Sequence, residues 1–463
     1  MSKVLFLNQP AIGHLNTLLT IALQMKEDGH QVHFLVPSIN ERLGNKVFET
    51  AASVPKVIAS HNIPMDTIRP VLSTGLIAVL LPSATGQNEV ALSMSMFSQG
   101  IEYYTRKILR VVERVKPDVL VADFAFFGGH LAAELAGIPC IVIYHSGLPF
   151  TGKGIPPFGS GLPIAQGNEA WDQQYIRREQ IISSRLDARF NAARKKFGLP
   201  VFPAGILHTP YSKWLNLITS VEAIEAPRDN LTGNSLFIGP CFAKRKNSPE
   251  GHFPFEKLRS DKYKIYVSLG TVFNNKPKVF ERIISALNSP EYQVIISAGG
   301  AYKKLLQNKM PENVLLFQSV PQVDLLPKVD LVIGHGGNNS TNETLAAGKP
   351  LIAMPVGGEQ GDNARRIEYL KAGLRVNIAS FGEDEITQKV KYIRSNPKFQ
   401  ERVSCLKEAI DQTDGPKTAS ACIEWVARHK RLLSRPAGFP LTVTKDNLAA
   451  LLSKTHHEEN TIC

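Results

Sequence analysis

Short apolar runs alternate with longer amphipathic segments through nearly the whole chain. The first run, Val4-Leu5-Phe6-Leu7, ends in the loop Asn8-Gln9-Pro10-Ala11-Ile12-Gly13-His14. Apolar positions three and four apart then predict a helix from about Leu15 to Asp28, closed by Gly29. Next come a strand over 31–36, a helix near 101–115, a strand Val119-Leu120-Val121-Ala122 ending at Asp123, a helix near 128–136 and a strand over 141–144. Residues 145–163 are rich in Gly and Pro and read as a long loop. Residues 171–197 read as a charged helix, and 240–254 as a polar, basic linker.

The second half repeats this grammar. Strands are expected over 264–269, 293–297, 314–317, 331–333 and 351–354, with helices near 277–287, 339–347 and 363–372 and more towards Lys430. Strands that are apolar throughout, rather than alternating, belong in a parallel sheet covered on both faces by crossover helices. The fold class is therefore α/β, as two facing doubly wound Rossmann-like domains, with ligands beyond the carboxyl ends of the strands. The tail after Arg435 is polar apart from Leu448–Leu452, and is expected to wrap back onto the first domain or to stay partly disordered.

The stretch from Asp330 to Asn363 is the most informative. Leu331-Val332-Ile333 ends abruptly in Gly334-His335-Gly336-Gly337-Asn338-Asn339-Ser340, a helix pattern follows, and Gly348-Lys349-Pro350 stops it. A second apolar run then ends in glycines and Glu359-Gln360. A helix start preceded by glycines turns backbone N–H groups and a positive dipole end towards one spot, which suits a phosphate. A structural alternative stands beside this: Ser340-Thr341-Asn342-Glu343 matches a capping box, in which Ser340 and Glu343 serve only the helix.

Composition narrows the classes. A chain of 463 residues suffices for two or three domains. No apolar leader with a cleavage site follows Met1, and the most apolar stretch, 76–81, is too short to span a bilayer. The expected setting is cytoplasmic, in keeping with five scattered cysteines that form no C-x-x-C pair. The net charge of +12 sits in small groups such as Arg194-Lys195-Lys196 and Lys244-Arg245-Lys246, without aromatic interleaving. That pattern describes a solvated surface, not a nucleic-acid site, and leaves room for weak peripheral attraction to acidic lipid.

Several chemistries lack their motifs. The first strand–helix turn has no G-x-G-x-x-G, and the chain has no G-x-x-x-x-G-K-[ST], H-E-x-x-H, D-x-D or G-x-S-x-G. Glu383-Asp384-Glu385 is more simply the acidic first turn of a helix. A dinucleotide cofactor and a metal are therefore unsupported. His14 stands after the first strand at a helix start, which disfavours a cationic imidazole. Asp123 ends another strand of the same sheet, at the same edge if that sheet is parallel. An Asp–His pair there would fix the tautomer and stabilise an imidazolium; a surface histidine and a capping aspartate are the alternative.

With these residues in view, the chain resembles the family-one, UDP-glycosyltransferase-like enzymes, which are inverting, metal-independent glycosyltransferases of the two-Rossmann-domain (GT-B) type. The match is strongest from Val320-Pro321-Gln322 through Asn363. The resemblance implies an acceptor-binding domain over 1–240, a nucleotide-sugar-binding domain over 241–415, and a helix and tail over 416–463 packing back on the first. It implies His14 as general base with Asp123 orienting it. It implies Thr271 near the donor diphosphate, Gln322 at the base or ribose, and His335, Gly337, Asn339 and Ser340 on the diphosphate. Glu343 would accept from the ribose hydroxyls, and Glu359 and Gln360 would bind the transferred sugar. The donor, most often a UDP-sugar in such enzymes, is a co-substrate, and no cofactor is implied. Ser319 stands where many relatives carry a Trp that stacks on the base, Asn338 where plant relatives carry Trp, and Glu359 where many carry Asp. Residues 72–97 and 145–163 lie where loops holding a small hydrophobic acceptor belong. A nucleotide-sugar epimerase or hydrolase of the same fold, and a non-catalytic sugar-nucleotide-binding subunit, are the rival readings.

Overall fold

A computed structural model of the chain describes residues 1–9, 12–37, 46–69, 71, 87–145, 147–164, 173–203, 205–242, 253–270 and 274–454. The chain divides into two compact units. One comprises Met1–Phe158, Ala165–Ala243 and Gln412–Cys463; the other comprises Gly159–Ile164 and Lys244–Asp411.

The first unit is built on a sheet of seven described strands: β1 (Lys3–Leu7), β2 (Gln31–Pro37), β3 (Met65–Ile68), β4 (Val119–Asp123), β5 (Cys140–Tyr144), β6 (Leu215–Ile218) and β7 (Ser235–Phe237). Every pairing is parallel, in the order β3-β2-β1-β4-β5-β6-β7. Successive residues serve opposite faces, as the pleat requires. Val4 and Phe6 join one buried cluster, and Leu5 and Leu7 the other. That two-sided burial is why these strands are apolar at every position.

The last segment completes this unit. The helix Gly415–His429, capped by the Asp414 side chain, places Ala419, Cys422, Ile423 and Val426 in the same cluster as Leu15, Leu18 and Leu19 of the helix Ile12–Glu27. Ser420 donates to Asp28 at 2.5 Å. Beyond it, Phe237 N–H donates to Leu441 O and Val443 N–H to Phe237 O, so the chain lies alongside β7. The helix Leu448–Lys454 buries Leu451, and Trp425 donates to Leu452 O at 3.2 Å.

The second unit carries β8 (Tyr263–Ser268), β9 (Tyr292–Ser297), β10 (Val314–Phe317), β11 (Leu331–Gly334), β12 (Leu351–Ala353) and β13 (Gly373–Arg375), all parallel in the order β10-β9-β8-β11-β12-β13. This order matches that of the first six strands of the first unit. In both sheets the chain winds outward from one central strand and then resumes on its other side, at β1/β4 and at β8/β11. A crevice opens past the strand ends at such a reversal.

Some boundaries differ from the sequence reading. The first described helix starts at Ile12, so His14 lies in its first turn and not in the preceding loop. The helix Gln360–Tyr369 starts three positions earlier than expected, which makes Glu359 its cap residue. The capping-box alternative fails: the cap of the helix Asn338–Ala346 is Gly337, with no side-chain cap bond, and Ser340 is already inside the helix. Among the described residues no helix is long and apolar enough to cross a membrane. The four described cysteines, Cys140, Cys241, Cys405 and Cys422, are free thiols, the second-to-last of them exposed.

Candidate functional site

The β1/β4 reversal carries a charge-bearing cluster. Asp123, the last residue of β4, is fully buried, and its Oδ2 lies 2.7 Å from His14 Nδ1. The same oxygen lies 2.9 Å from Nε2 of His145, the residue after β5. The other oxygen, Oδ1, accepts the Ala125 N–H at 2.9 Å. Gln9, in the turn after β1, donates to Ala125 O at 2.6 Å and ties the two switch-point turns together. Burial pushes the Asp123 carboxyl up, but the charge and hydrogen bond of His14, then those of His145, outweigh it and hold the group well below the usual carboxylate range. Burial also lowers His145, with the hydrogen bond to Asp123 opposing it.

Engagement of Nδ1 by Asp123 turns His14 Nε2 to the opposite side of the ring, and the His14 side chain is 26% exposed. The ring stacks near Phe124, at 5.9 Å, and lies 6.4 Å from Phe97. An imidazole held by a carboxylate and flanked by aromatic rings can accept a proton from a hydroxyl on an apolar molecule. The atoms of His14, Asp123 and His145 that could serve a metal lie within 4.8 Å of one another. Their mutual hydrogen bonds account for that spacing.

The β8/β11 reversal is built differently. After β11 the chain passes His335, then Gly336 with φ of 80°, and enters the helix Asn338–Ala346. The His335 ring is wedged between two glycines. A Cβ added at Gly270 would lie 2.6 Å from it, and one at Gly337 2.4 Å. Burial lowers the His335 imidazole to about 4, so the ring is neutral. Its Nδ1, with Asn338 Oδ1, Thr341 Oγ1 and Asn342 Oδ1, has no hydrogen-bond partner although buried. Four such atoms gather around one glycine-led helix start, which makes this end of the helix a polar spot.

A side-chain chain runs beside it. Tyr266 donates to Gln322 Oε1 at 3.0 Å, and Gln322 Nε2 donates to Glu343 Oε2 at 2.6 Å and to Ser340 Oγ at 3.3 Å. Asn363 donates to Gly336 O at 2.7 Å and fixes the glycine turn. Gln360 Oε1 accepts from the N–H groups of Val356 and Gly357.

The sequence-named residues thus fall at two places. His14 and Asp123 are in contact in the first unit. Gln322, Ser340 and Glu343 are hydrogen-bonded together in the second, where His335 and Gly337 touch and Asn339 lies in the same first turn. Glu359 and Gln360 stand at the start of the next helix. Thr271 lies outside the described residues. Three participants were not singled out from the sequence. In the sequence His145 falls within a Gly/Pro-rich loop, although a histidine directly after an apolar strand is a usable signal; Tyr266 reads as one more core residue, and Asn363 as a helix start.

The model of the family described as UDP-glucoronosyl and UDP-glucosyl transferase matches residues 200–443. The chain is 26% identical over 421 residues to the NDP-glycosyltransferase YjiC of Bacillus subtilis (strain 168), covering 90% of this chain and 95% of that protein. It is 26% identical over 436 residues to the 4'-demethylrebeccamycin synthase of Lentzea aerocolonigenes, covering 91% and 99%. It is similar in fold to the solved glycotransferase of kitacinnamycin, with a TM-score of 0.69 at 20% identity over 92% of this chain and 99% of that one. The chain belongs to the UDP-glucoronosyl and UDP-glucosyl transferase family and is a glycosyltransferase of the GT-B fold.

Proposed function

We propose that the protein moves a hexose from a nucleoside-diphosphate sugar, foremost a UDP-sugar, to a hydroxyl of a small hydrophobic acceptor such as a natural product, with inversion and without a metal ion. The 2.7 Å contact between His14 and buried Asp123 carries this reading. His14 takes the acceptor proton at Nε2 as the oxygen attacks the anomeric carbon, and Asp123 holds the tautomer and stabilises the imidazolium. Phe97 and Phe124 beside His14 supply an apolar surface for the acceptor.

Charge grows on the departing diphosphate. Backbone N–H groups at the start of the helix Asn338–Ala346, the neutral His335, and the polar side chains of Asn339 and Ser340 meet it, with Gly337 admitting the phosphates closely. Glu343 takes the ribose hydroxyls once Gln322 turns to the base or ribose. Glu359 and Gln360 bind the hexose hydroxyls, and Thr271 approaches the diphosphate. The nucleotide sugar is a co-substrate, and no resident cofactor enters the scheme.

The test is incubation with UDP- and dTDP-hexoses and a panel of phenolic and terpenoid alcohols, with products weighed by mass spectrometry and the anomeric configuration read by NMR. The reading expects a glycoside of inverted configuration, formed equally well with EDTA. A retained configuration, dependence on added metal, or free hexose as the lone product would count against it.

A further inference from the structure

Asp123 is shared between two histidines, and the reaction outlined above uses one of them. Three donors reach its carboxylate from three elements: His14 from the first helix, Ala125 N–H from the turn after β4, and His145 from the end of β5. Two of the three converge on one oxygen, Oδ2. A carboxylate has about four acceptor directions, so three donors nearly fill it and fix its rotation. Without the His145 bond, the plane of the carboxyl would answer only to Ala125 on one side and to His14 itself on the other. The aspartate would then follow the base that it is meant to hold.

We propose that His145 is a positioning residue for the transfer reaction: its Nε2–H holds the Asp123 carboxylate in the plane that His14 Nδ1 requires, without contributing a positive charge. This inference rests on the reading of His14 as the base.

The chemistry of the second donor matters. A lysine or arginine at this place would pin the carboxylate equally well, but would neutralise the charge that the His14 imidazolium needs. Burial favours the uncharged ring of His145, and a neutral imidazole protonated at Nε2 donates a hydrogen bond while leaving the negative charge of Asp123 to His14. The ring is held for this task. It packs edge-on against His14 at 4.7 Å and against Phe124 at 6.0 Å. The other titratable groups near the carboxylate, Tyr144 and Tyr211, are buried phenols pushed upwards by burial and stay neutral, so they do not compete for its charge. Tyr211 spends its hydroxyl on Phe124 O.

Two polar variants of similar bulk separate positioning from packing. In His145→Gln the side-chain N–H sits where Nε2 was and still reaches Oδ2. In His145→Asn it sits where Nδ1 was and falls short. Each is checked for folding by its thermal transition, and kcat, the acceptor and donor KM values and UDP affinity by calorimetry are measured. The expected result is that His145→Asn loses about ten- to a hundredfold in kcat, the scale of removing an outer partner of a catalytic group, with donor KM and UDP affinity unchanged. His145→Gln should regain most of that rate. Two folded variants with equal rates, whether both high or both low, would overturn the proposal, because hydrogen-bond reach would then not matter. His14→Ala serves as the control. If it abolishes transfer while the two His145 variants match, this inference alone falls; if it transfers normally, the base assignment and the inference fall together.

Discussion

The two switch points share a topology and differ in what they load onto it. At β1/β4 the strand end carries a buried carboxylate bound by two imidazoles. At β8/β11 it carries a neutral histidine, glycines and a helix start, and its one carboxylate in the hydrogen-bonded chain, Glu343, is held by an amide. On the function proposed above, the first arrangement handles a proton, because charge can move between groups already in contact. The second, on the same proposal, suits an anion, because backbone N–H groups and a helix dipole meet at one glycine-led helix start. A doubly wound sheet thus dictates where a ligand cleft forms, while a handful of strand-end residues decide its chemistry.

This contrast can be broken most severely at His14. His14→Ala is expected to lower the transfer rate by about 10²–10⁴-fold, the value of general-base help, in a steady-state assay. Equal turnover would remove the proton-handling role of the first switch point. The second switch point is most sensitive at its glycines. Gly270→Ala adds a Cβ 2.6 Å from the His335 ring at a φ of 79°, an overpacking that costs about 1–3 kcal/mol. Thermal unfolding and UDP titration should both register it, and an unchanged variant would mean that the histidine is not wedged.

A smaller effect sharpens the claim of neutrality at His335. Its folded value of about 4 lies below the ordinary 6.5, so the folded chain binds fewer protons than the unfolded one in between. The stability contributed is present above pH 6.5 and is lost as pH falls towards 4, by about 2 kcal/mol between pH 6.5 and 5. His335→Gln does not titrate, so its stability should fall less over that window; His130, also lowered to about 4 by burial, contributes equally to both proteins. An identical slope in unfolding free energy would show that His335 is not buried neutral.

Much of this was legible in the sequence, for a physical reason. Strands buried on both faces must be apolar at every position, so Val4–Leu7, Val119–Ala122 and Leu331–Ile333 announced a parallel sheet. β3, β6, β7 and β13 escape the sequence reading: all four have four residues or fewer, too short for periodicity to mark. Asp123 and His14 were readable because strand ends are where such sheets bind ligands. His145 was not, because its role depends on β5 pairing beside β4, a relation between strands that no local spacing records. The capping-box alternative fails for a related reason: its spacing is correct, but the glycine before Asn338 already starts the helix, and Glu343 turns to Gln322 instead.

The smallest expected change is also the one that tests the division of labour most directly. UDP is titrated calorimetrically into the wild-type protein, His14→Ala and Glu343→Ala. The account predicts wild-type affinity for His14→Ala and an affinity lower by about tenfold, some 1.4 kcal/mol, for Glu343→Ala. Unchanged binding to Glu343→Ala, or a loss of nucleotide binding in His14→Ala, would contradict it.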